Sequence, residues 1–321
     1  MRNSILALSL LFTLIAQAQF DPSAGQAGSL AVHKDSSAIQ EWAHDCEVTR
    51  GYQNIANTGL GYASAGSPSM AVGSSDAGVV SLGDGGSAIL TFGYGIMNGP
   101  GADFAVFENS FSDTFLELAF VEVSTDGVNY FRFQAISNTQ NTVQTDGFGS
   151  TDATKIYNLA GKYKAQYGTP FDLEELKNEV GLDVDNINFI KVIDVIGNID
   201  NTYASNDKNN NKINDPWPTP YASSGFDLEA VGVINMKPDG VKENEFFSFS
   251  VYPNPASAEL VVDVKDAEPY VITVLDMKGQ VLVEYSGRGL SRINVCGFEE
   301  GIYLLKISSF NKIHVGKFSK M

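Results

Sequence analysis

The residues best placed to do chemistry form one polar run, Asp207-Lys208-Asn209-Asn210-Asn211-Lys212-Ile213-Asn214-Asp215. Counting Asp207 as position 1, side-chain oxygens fall at positions 1, 3, 5 and 9, on Asp207, Asn209, Asn211 and Asp215. Ile213 at position 7 would add its backbone carbonyl. Calcium is a hard cation that gathers six to eight oxygen ligands, and alternate residues of a tight loop can point inward together. The spacing therefore predicts a calcium loop, with Asp227 and Glu229 as candidate closing ligands. These two alternate with apolar neighbours in Phe226-Asp227-Leu228-Glu229-Ala230-Val231, so they share one face of a strand. On a buried face both would need partners, and a cation would serve. A solvated, metal-free Asn-rich loop and an exposed acidic face are the plainer alternative, and the sequence leaves both open.

A second acidic set, Asp103, Glu108 and Asn109, lies near the ends of a predicted strand and joins Asp227 and Glu229 as candidate chemistry. Trp217 and Tyr221 follow the polar run, stiffened by Pro216, Pro218 and Pro220. A rigid aromatic loop of this kind can bind a sugar ring or another flat ligand, or it can cover one end of a core. Motifs for catalysis are missing. His33 and His44 are the histidines of residues 19–236, and no Gly-x-Ser-x-Gly elbow, His-Glu-x-x-His helix or Cys-x-x-Cys pair occurs. A pair of carboxylates for glycoside hydrolysis stays open, because their separation is invisible in a sequence.

The elements that must position these residues read mostly as strands. Runs at 88–92, 103–109, 117–124, 129–133, 187–195 and 226–234 are apolar or alternating and bounded by Gly, Asn, Asp and Pro. Thr125-Asp126-Gly127-Val128 predicts a hairpin between two of them. Helical spacing of Ile39, Trp42, Ala43 and Cys46 predicts a helix over 37–46. A second short helix is predicted over 171–180, with Asp172 as its cap and Glu175 completing a capping box. After residue 246 come short strands at close spacing, the pattern of a small β-sandwich.

Both termini carry signals. Met1-Arg2-Asn3-Ser4, an apolar run from Ile5 to Ala16 and the triplet Ala16-Gln17-Ala18 form a signal-peptide pattern, with cleavage expected after Ala18. No cysteine follows for a lipid anchor, and no other segment is long and apolar enough for a membrane span. Near the other end stand Tyr252-Pro253-Asn254-Pro255, Leu275-Asp276-Met277-Lys278-Gly279-Gln280, Gly301-Ile302-Tyr303-Leu304-Leu305-Lys306-Ile307 and Lys317-Phe318-Ser319-Lys320. These four ordered motifs resemble the C-terminal sorting domain of type IX secretion substrates of Bacteroidetes. The resemblance implies passage through the outer membrane by the type IX machinery, then removal of the domain with release or surface attachment.

Further strings resemble a group of Bacteroidetes cell-surface proteins with a galactose-binding-like jelly roll. They are Gly85-Gly86-Ser87-Ala88-Ile89-Leu90, Asp103-Phe104-Ala105-Val106-Phe107-Glu108-Asn109, Val121-Glu122-Val123-Ser124-Thr125-Asp126-Gly127 and Gly225-Phe226-Asp227-Leu228-Glu229-Ala230-Val231. The polar run resembles calcium loops of the thrombospondin-repeat or EF-hand kind. It departs from them at Lys212, where glycine is usual, and at Pro218, where an EF-hand has glutamate.

The expected organisation is a signal peptide (1–18), an all-β jelly-roll cargo domain (19–236), a linker (237–245) and a small immunoglobulin-like β-sandwich sorting domain (246–321). A net charge of -17, from 38 acidic and 21 basic residues, excludes the basic footprint of a nucleic-acid binder. Two cysteines, Cys46 and Cys296, make no disulfide framework and are each expected to be small buried hydrophobes. Together these features predict a secreted or surface-attached binding protein, calcium-stabilised and non-catalytic, for a glycan or other nutrient. The alternatives are a carboxylate-based secreted hydrolase and an accessory protein of corrinoid or cofactor uptake at the outer membrane.

Overall fold

The computed structural model describes residues 20–76, 78–237, 249–264, 269–309 and 312–321. The predicted signal peptide lies outside the described residues, as does all of the predicted linker except Lys237. Two compact units divide the chain, Met1–Pro238 and Asp239–Met321.

The first unit runs through β1 (Val32–His33), β2 (Glu41–Trp42), β3 (Asp45–Thr49), β4 (Val80–Ser81), β5 (Ser87–Ile96), β6 (Phe104–Glu108) and β7 (Ala119–Ser124). It continues with β8 (Phe131–Arg132), β9 (Ile136–Ser137), β10 (Ile156–Tyr157), β11 (Tyr167–Phe171), β12 (Ile187–Asp194) and β13 (Asp227–Val233). One sheet has the order β1-β11-β6-β13-β2, with β4 also on β13, and the other has the order β3-β5-β12-β7-β8. Every pairing in both sheets is antiparallel.

Alternation explains the layering. Phe104 and Val106 of β6 enter the core between the sheets with Leu90, Val121, Ile190 and Val231. Ala105 and Phe107 of the same strand point the other way, onto Ala230 and Trp42. Phe104, Phe133 and Phe171 meet at centroid distances of 5.0–5.8 Å. The predicted hairpin forms between β7 and β8. Asp126 accepts hydrogen bonds from the N–H groups of Val128 and Asn129, and Gly127 takes a φ of 75°.

Both predicted helices are corrected. Residues 37–46 form β2 and β3, because Glu41 and Trp42 pair with Val233 and Gly232, while Trp42 packs on Phe107 at 5.3 Å. Four apolar residues fit a helix or two short strands equally well, and sheet pairing decides. Within 171–180, Phe171 ends β11 and a single 3-10 turn, Leu173–Leu176, follows. Asp172 caps that turn by accepting from the Glu174 N–H. Glu175 makes no capping box in this short turn, and its carboxylate instead accepts from the Tyr157 hydroxyl and the Asn158 amide. Cys46 is buried as expected, and burial pushes its thiol up to about 12. Cys296 is exposed, which corrects the expectation for that residue.

The second unit contains β14 (Phe249–Tyr252), β15 (Glu259–Val264), β16 (Tyr270–Leu275), β17 (Val281–Gly287), β18 (Leu290–Asn294), β19 (Gly301–Ser309) and β20 (Lys312–Lys320). Its sheets, β14-β15-β18 and β17-β16-β19-β20, share a core built on Leu260, Val262, Ile272, Val274, Leu305 and Phe318. The Tyr252-Pro253-Asn254-Pro255 motif fastens the last strand. Asn254 accepts from the Ser319 N–H, and Ala256 donates to the Ser319 carbonyl and accepts from the Met321 N–H. Two of the four sequence motifs therefore meet in one hydrogen-bonded clamp. Among the described residues no helix is long and apolar enough to cross a membrane.

Candidate functional site

At one end of the cargo unit three loops and two strand ends enclose a cavity of about 330 Å³. The first loop leaves β6 at Glu108 and reaches β7 through Phe111, Phe115 and Glu117. Its shape comes from small polar residues. Ser110 donates from its backbone N–H to Glu108 and from its hydroxyl to the carbonyls of Ser112 and Phe115, while Ser112 Oγ accepts from the Phe115 N–H. The second loop carries Phe148 and the third Thr219, Tyr221 and Ser223. Those two loops touch at Gly147, where a Cβ would lie 2.3 Å from the Pro218 carbonyl oxygen, so only glycine permits the contact.

Aromatic rings line the cavity in a row. Phe111 stacks on Phe115 at 4.5 Å, Phe115 on Phe148 at 6.1 Å, and Phe148 meets Tyr221 at 6.3 Å. Phe111, Phe148 and Tyr221 are 72%, 69% and 53% exposed, so this row is an open apolar surface and not core packing.

Opposite in character are the carboxyl groups. Glu117 and Asp227 line the cavity, and both are buried. Glu108 at the end of β6 is buried as well, and it interacts electrostatically with Asp227 and Glu117. One oxygen each of Glu108, Asp227 and Glu229 is buried without a hydrogen-bond partner. Burial, then repulsion from Asp227, holds Glu108 well above the usual carboxylate range. Burial does the same for Glu117, with Glu108 and Asp227 adding to it. Asp227 is pushed up to about 6 by burial. Glu229 is pushed up to about 7 by burial and the charge of Asp76.

Beneath the cavity a second set of buried aspartates fixes the backbone. Asp194 accepts from the N–H groups of Phe226 (2.7 Å) and Gly85 (2.9 Å), which pins the residue before Asp227. Asp215 accepts from the Leu118 N–H at 2.9 Å, which pins the residue after Glu117. Asp84 accepts from the Ile55 N–H and from the Trp217 indole. Burial raises the proton affinity of all three.

The residues singled out from sequence divide between different places. Asp227 and Tyr221 meet at the cavity, with Asn109 at its edge and Glu108 behind. Trp217 is half-buried and anchored to Asp84, not part of the lining. Asp103 lies at the other end of β6, where both oxygens accept from Gly99, Leu173 and Asn235. Glu229 is the extra residue of a bulge in β13, where the register slips between Leu228 and Ala230.

The predicted calcium loop is a tight turn closed by Asp207. One carboxylate oxygen accepts from the N–H groups of Asn209 and Asn211, and the other from the Ser137 N–H and the Asn211 amide. Asn209 and Asn211 are exposed, Ile213 is buried in an apolar cluster, and Asp215 faces Leu118. Four N–H groups aimed at Asp207 occupy the lone pairs a cation would need. In this arrangement the loop does not fit a calcium cage. Among the described residues no three His, Cys, Asp or Glu side chains converge to hold a metal ion.

Phe111, Phe115, Phe148 and Glu117 were not legible as site residues. A signal exists for the rings: large aromatics in loops of Ser, Asn, Asp, Thr and Gly, outside any strand pattern, have no core to enter.

Residues 250–320 match the family model of the secretion system C-terminal sorting domain. The tail is a type IX sorting domain. It marks the protein for export to the cell surface or the extracellular space and implies interaction with the type IX machinery. The sorting domain covers the second unit and leaves the cargo's ligand open. No curated protein matches the chain. Among solved structures, a DUF3244 family protein with an immunoglobulin-like β-sandwich fold from Bacteroides vulgatus is 21% identical, with a TM-score of 0.21, over 23% of this chain and 83% of that one. The BSP domain of a biofilm associated protein is 10% identical (TM-score 0.22) over 74% of this chain and 48% of that one. A β-glucuronidase from Ruminococcus gnavus is 12% identical (TM-score 0.24) over 88% and 45%. The chain spans less than half the length of the last two, and at these scores the likenesses carry no functional argument.

Two outcomes are expected. Carboxyls with raised proton affinity keep their protons in the folded state at a pH where the unfolded chain has lost them. Their contribution to stability is therefore full in acid and is lost as pH rises through the folded-state values. Asp227 and Glu229, at about 6 and about 7, place much of that loss between pH 5 and pH 8. Asp227 alone costs on the order of 1 kcal/mol over that interval. Thermal unfolding of the mature chain is expected to show a lower midpoint at pH 8 than at pH 5; a midpoint rising over that interval would contradict the assignment. Millimolar calcium or a chelator is expected to leave the midpoint at pH 7 unchanged. A calcium-dependent rise abolished by Asp207→Ala would restore the loop as a metal site.

Proposed function

We propose that the cargo unit is a binding module, carried to the outside of the cell, that takes a single sugar-sized ring in the cavity of Glu117 and Asp227. The observation that carries this reading is the exposed row of Phe111, Phe148 and Tyr221 beside buried carboxyl groups. Aromatic faces stack on the apolar face of a ring, and convergent polar groups fix its orientation. Asn109, Thr219 and Ser223 add neutral hydrogen-bonding groups to the carboxyls. A cavity of about 330 Å³ has room for one ring.

A specific observation also favours a second reading. Glu117 and Asp227 line one cavity, and burial raises the proton affinity of both. Two carboxyls facing one cavity, at least one of them holding its proton near neutral pH, are the residue types of a general acid and its partner in glycoside hydrolysis.

Calorimetric titration of the mature chain against a monosaccharide panel is expected to find at least one binder. Phe148→Ala and Tyr221→Ala should each weaken that binding by about tenfold while leaving the melting temperature unchanged, because both rings are exposed. Binding indifferent to both substitutions would contradict the proposed site. Turnover of an aryl glycoside that is lost in Glu117→Gln would transfer the site to the hydrolase reading.

A further inference from the structure

The cavity's charge and its aromatic lining together narrow the ligand. Glu117 and Asp227 line it, Asp227 is nine-tenths buried, and one of its oxygens has no hydrogen-bond partner. Directly behind, Glu108 is 1% exposed and also keeps an unpartnered oxygen. Among the described residues no lysine, arginine or histidine lines the cavity. The cation facing Asp227 is Arg50, whose guanidinium donates to the carbonyls of Ala65, Gly66 and Ser81. Lys34 is taken by Asp76, Lys162 by Asp21 and Lys164 by Asp113. The protein thus supplies acidic groups in this cavity, with the charge of Arg50 acting on Asp227 from outside the lining and no cationic side chain in the described lining itself.

A neutral ring would stack on Phe111, Phe148 and Tyr221 and leave the buried carboxyls protonated, whereas a cation would also engage them as carboxylates. An ammonium group answers both features at once. It donates up to three hydrogen bonds to carboxylate oxygens, and its charge is attracted to the faces of the surrounding rings.

Resting on the reading of this cavity as a ligand site, we infer that its ligand is an organic cation, a ring or short chain bearing an ammonium group seated between Glu117, Asp227 and the aromatic row. An amino sugar and a quaternary ammonium compound share the positive charge that meets carboxylates and ring faces, and only the amino sugar adds N–H donors. Entry of the cation favours the ionised carboxyls, so binding near neutral pH releases protons. The groups facing Glu117 and Asp227 in that exchange are Glu108, Asp194, Asp215 and Arg50, and Glu229 faces Glu108.

The test is calorimetry on the mature chain at pH 7 with glucosamine, N-acetylglucosamine, glucose and tetramethylammonium, each in two buffers of different ionisation enthalpy. Glucosamine is expected to bind at least tenfold more tightly than N-acetylglucosamine or glucose, with proton release read from the buffer dependence. Asp227→Asn, nearly isosteric, should abolish that preference, and Phe148→Ala should weaken glucosamine while the melting temperature holds. Tetramethylammonium binding as tightly as glucosamine would assign a quaternary ammonium ligand; weaker binding would assign an amino sugar. Glucose or N-acetylglucosamine binding as well as glucosamine would overturn the cation and leave the sugar site standing. Failure of all four probes to bind would overturn the cation and count against the site itself.

Discussion

A carboxyl group carried into a protein interior must find N–H donors or a cation, or else keep its proton. That constraint organises one end of this cargo unit. Asp194 and Asp215 meet it with backbone N–H groups and thereby fix Phe226 and Leu118, the neighbours of Asp227 and Glu117. Glu108 and Asp227 meet it only in part, because each keeps an oxygen without a partner. The first pair is scaffold. The second is held in place by the scaffold, with Asp227 lining the cavity beside Glu117 and Glu108 buried next to it.

The loops around these carboxyls are arranged to the same end. Ser110 and Ser112 fold the first loop on itself, so that Phe111 and Phe115 stack with each other and not against the sandwich core. Gly147 allows the second loop to rest on the third and brings Phe148 beside Tyr221. Three loops far apart in sequence thus contribute one row of rings. Positioning of this kind suits recognition, because the aromatic surface is in place before a ligand arrives and little ordering cost remains to be met on binding. Export fits the same picture. The sorting domain folds as its own unit, with its last strand clamped by the Tyr252-Pro253-Asn254-Pro255 motif, and the cargo carries a separate core.

Much of the architecture was legible in the sequence. Strands at 103–109, 117–124, 187–195 and 226–234 fall where period-2 patterning and turn residues put them, because burial of alternate side chains leaves that signature. The two helices were not there: short apolar spacings are ambiguous, and β2 and the 3-10 turn after Asp172 are decided by pairing partners distant in the chain. The candidate site was legible only in single residues. Asp227, singled out as a metal ligand, and Tyr221, singled out as an aromatic contact, both line the candidate cavity, while the carboxylate of Asp207 accepts from the N–H groups of its own turn. Ligand spacing records which residues can point together, not whether backbone N–H groups will reach them first. Phe111, Phe148 and Glu117 come from loops whose convergence only the tertiary structure supplies.

The central claim is that Glu117 and Asp227 are buried acids of raised proton affinity that line one cavity. Carbon-detected NMR titration of the carboxyl groups in the mature chain tests it most directly. The account predicts a Glu117 titration well above the usual carboxylate range and an Asp227 titration near about 6. Both groups titrating at ordinary values, near 4, would mean that they are solvated or already paired, and the case for a ligand site at this end of the sandwich would fall with them.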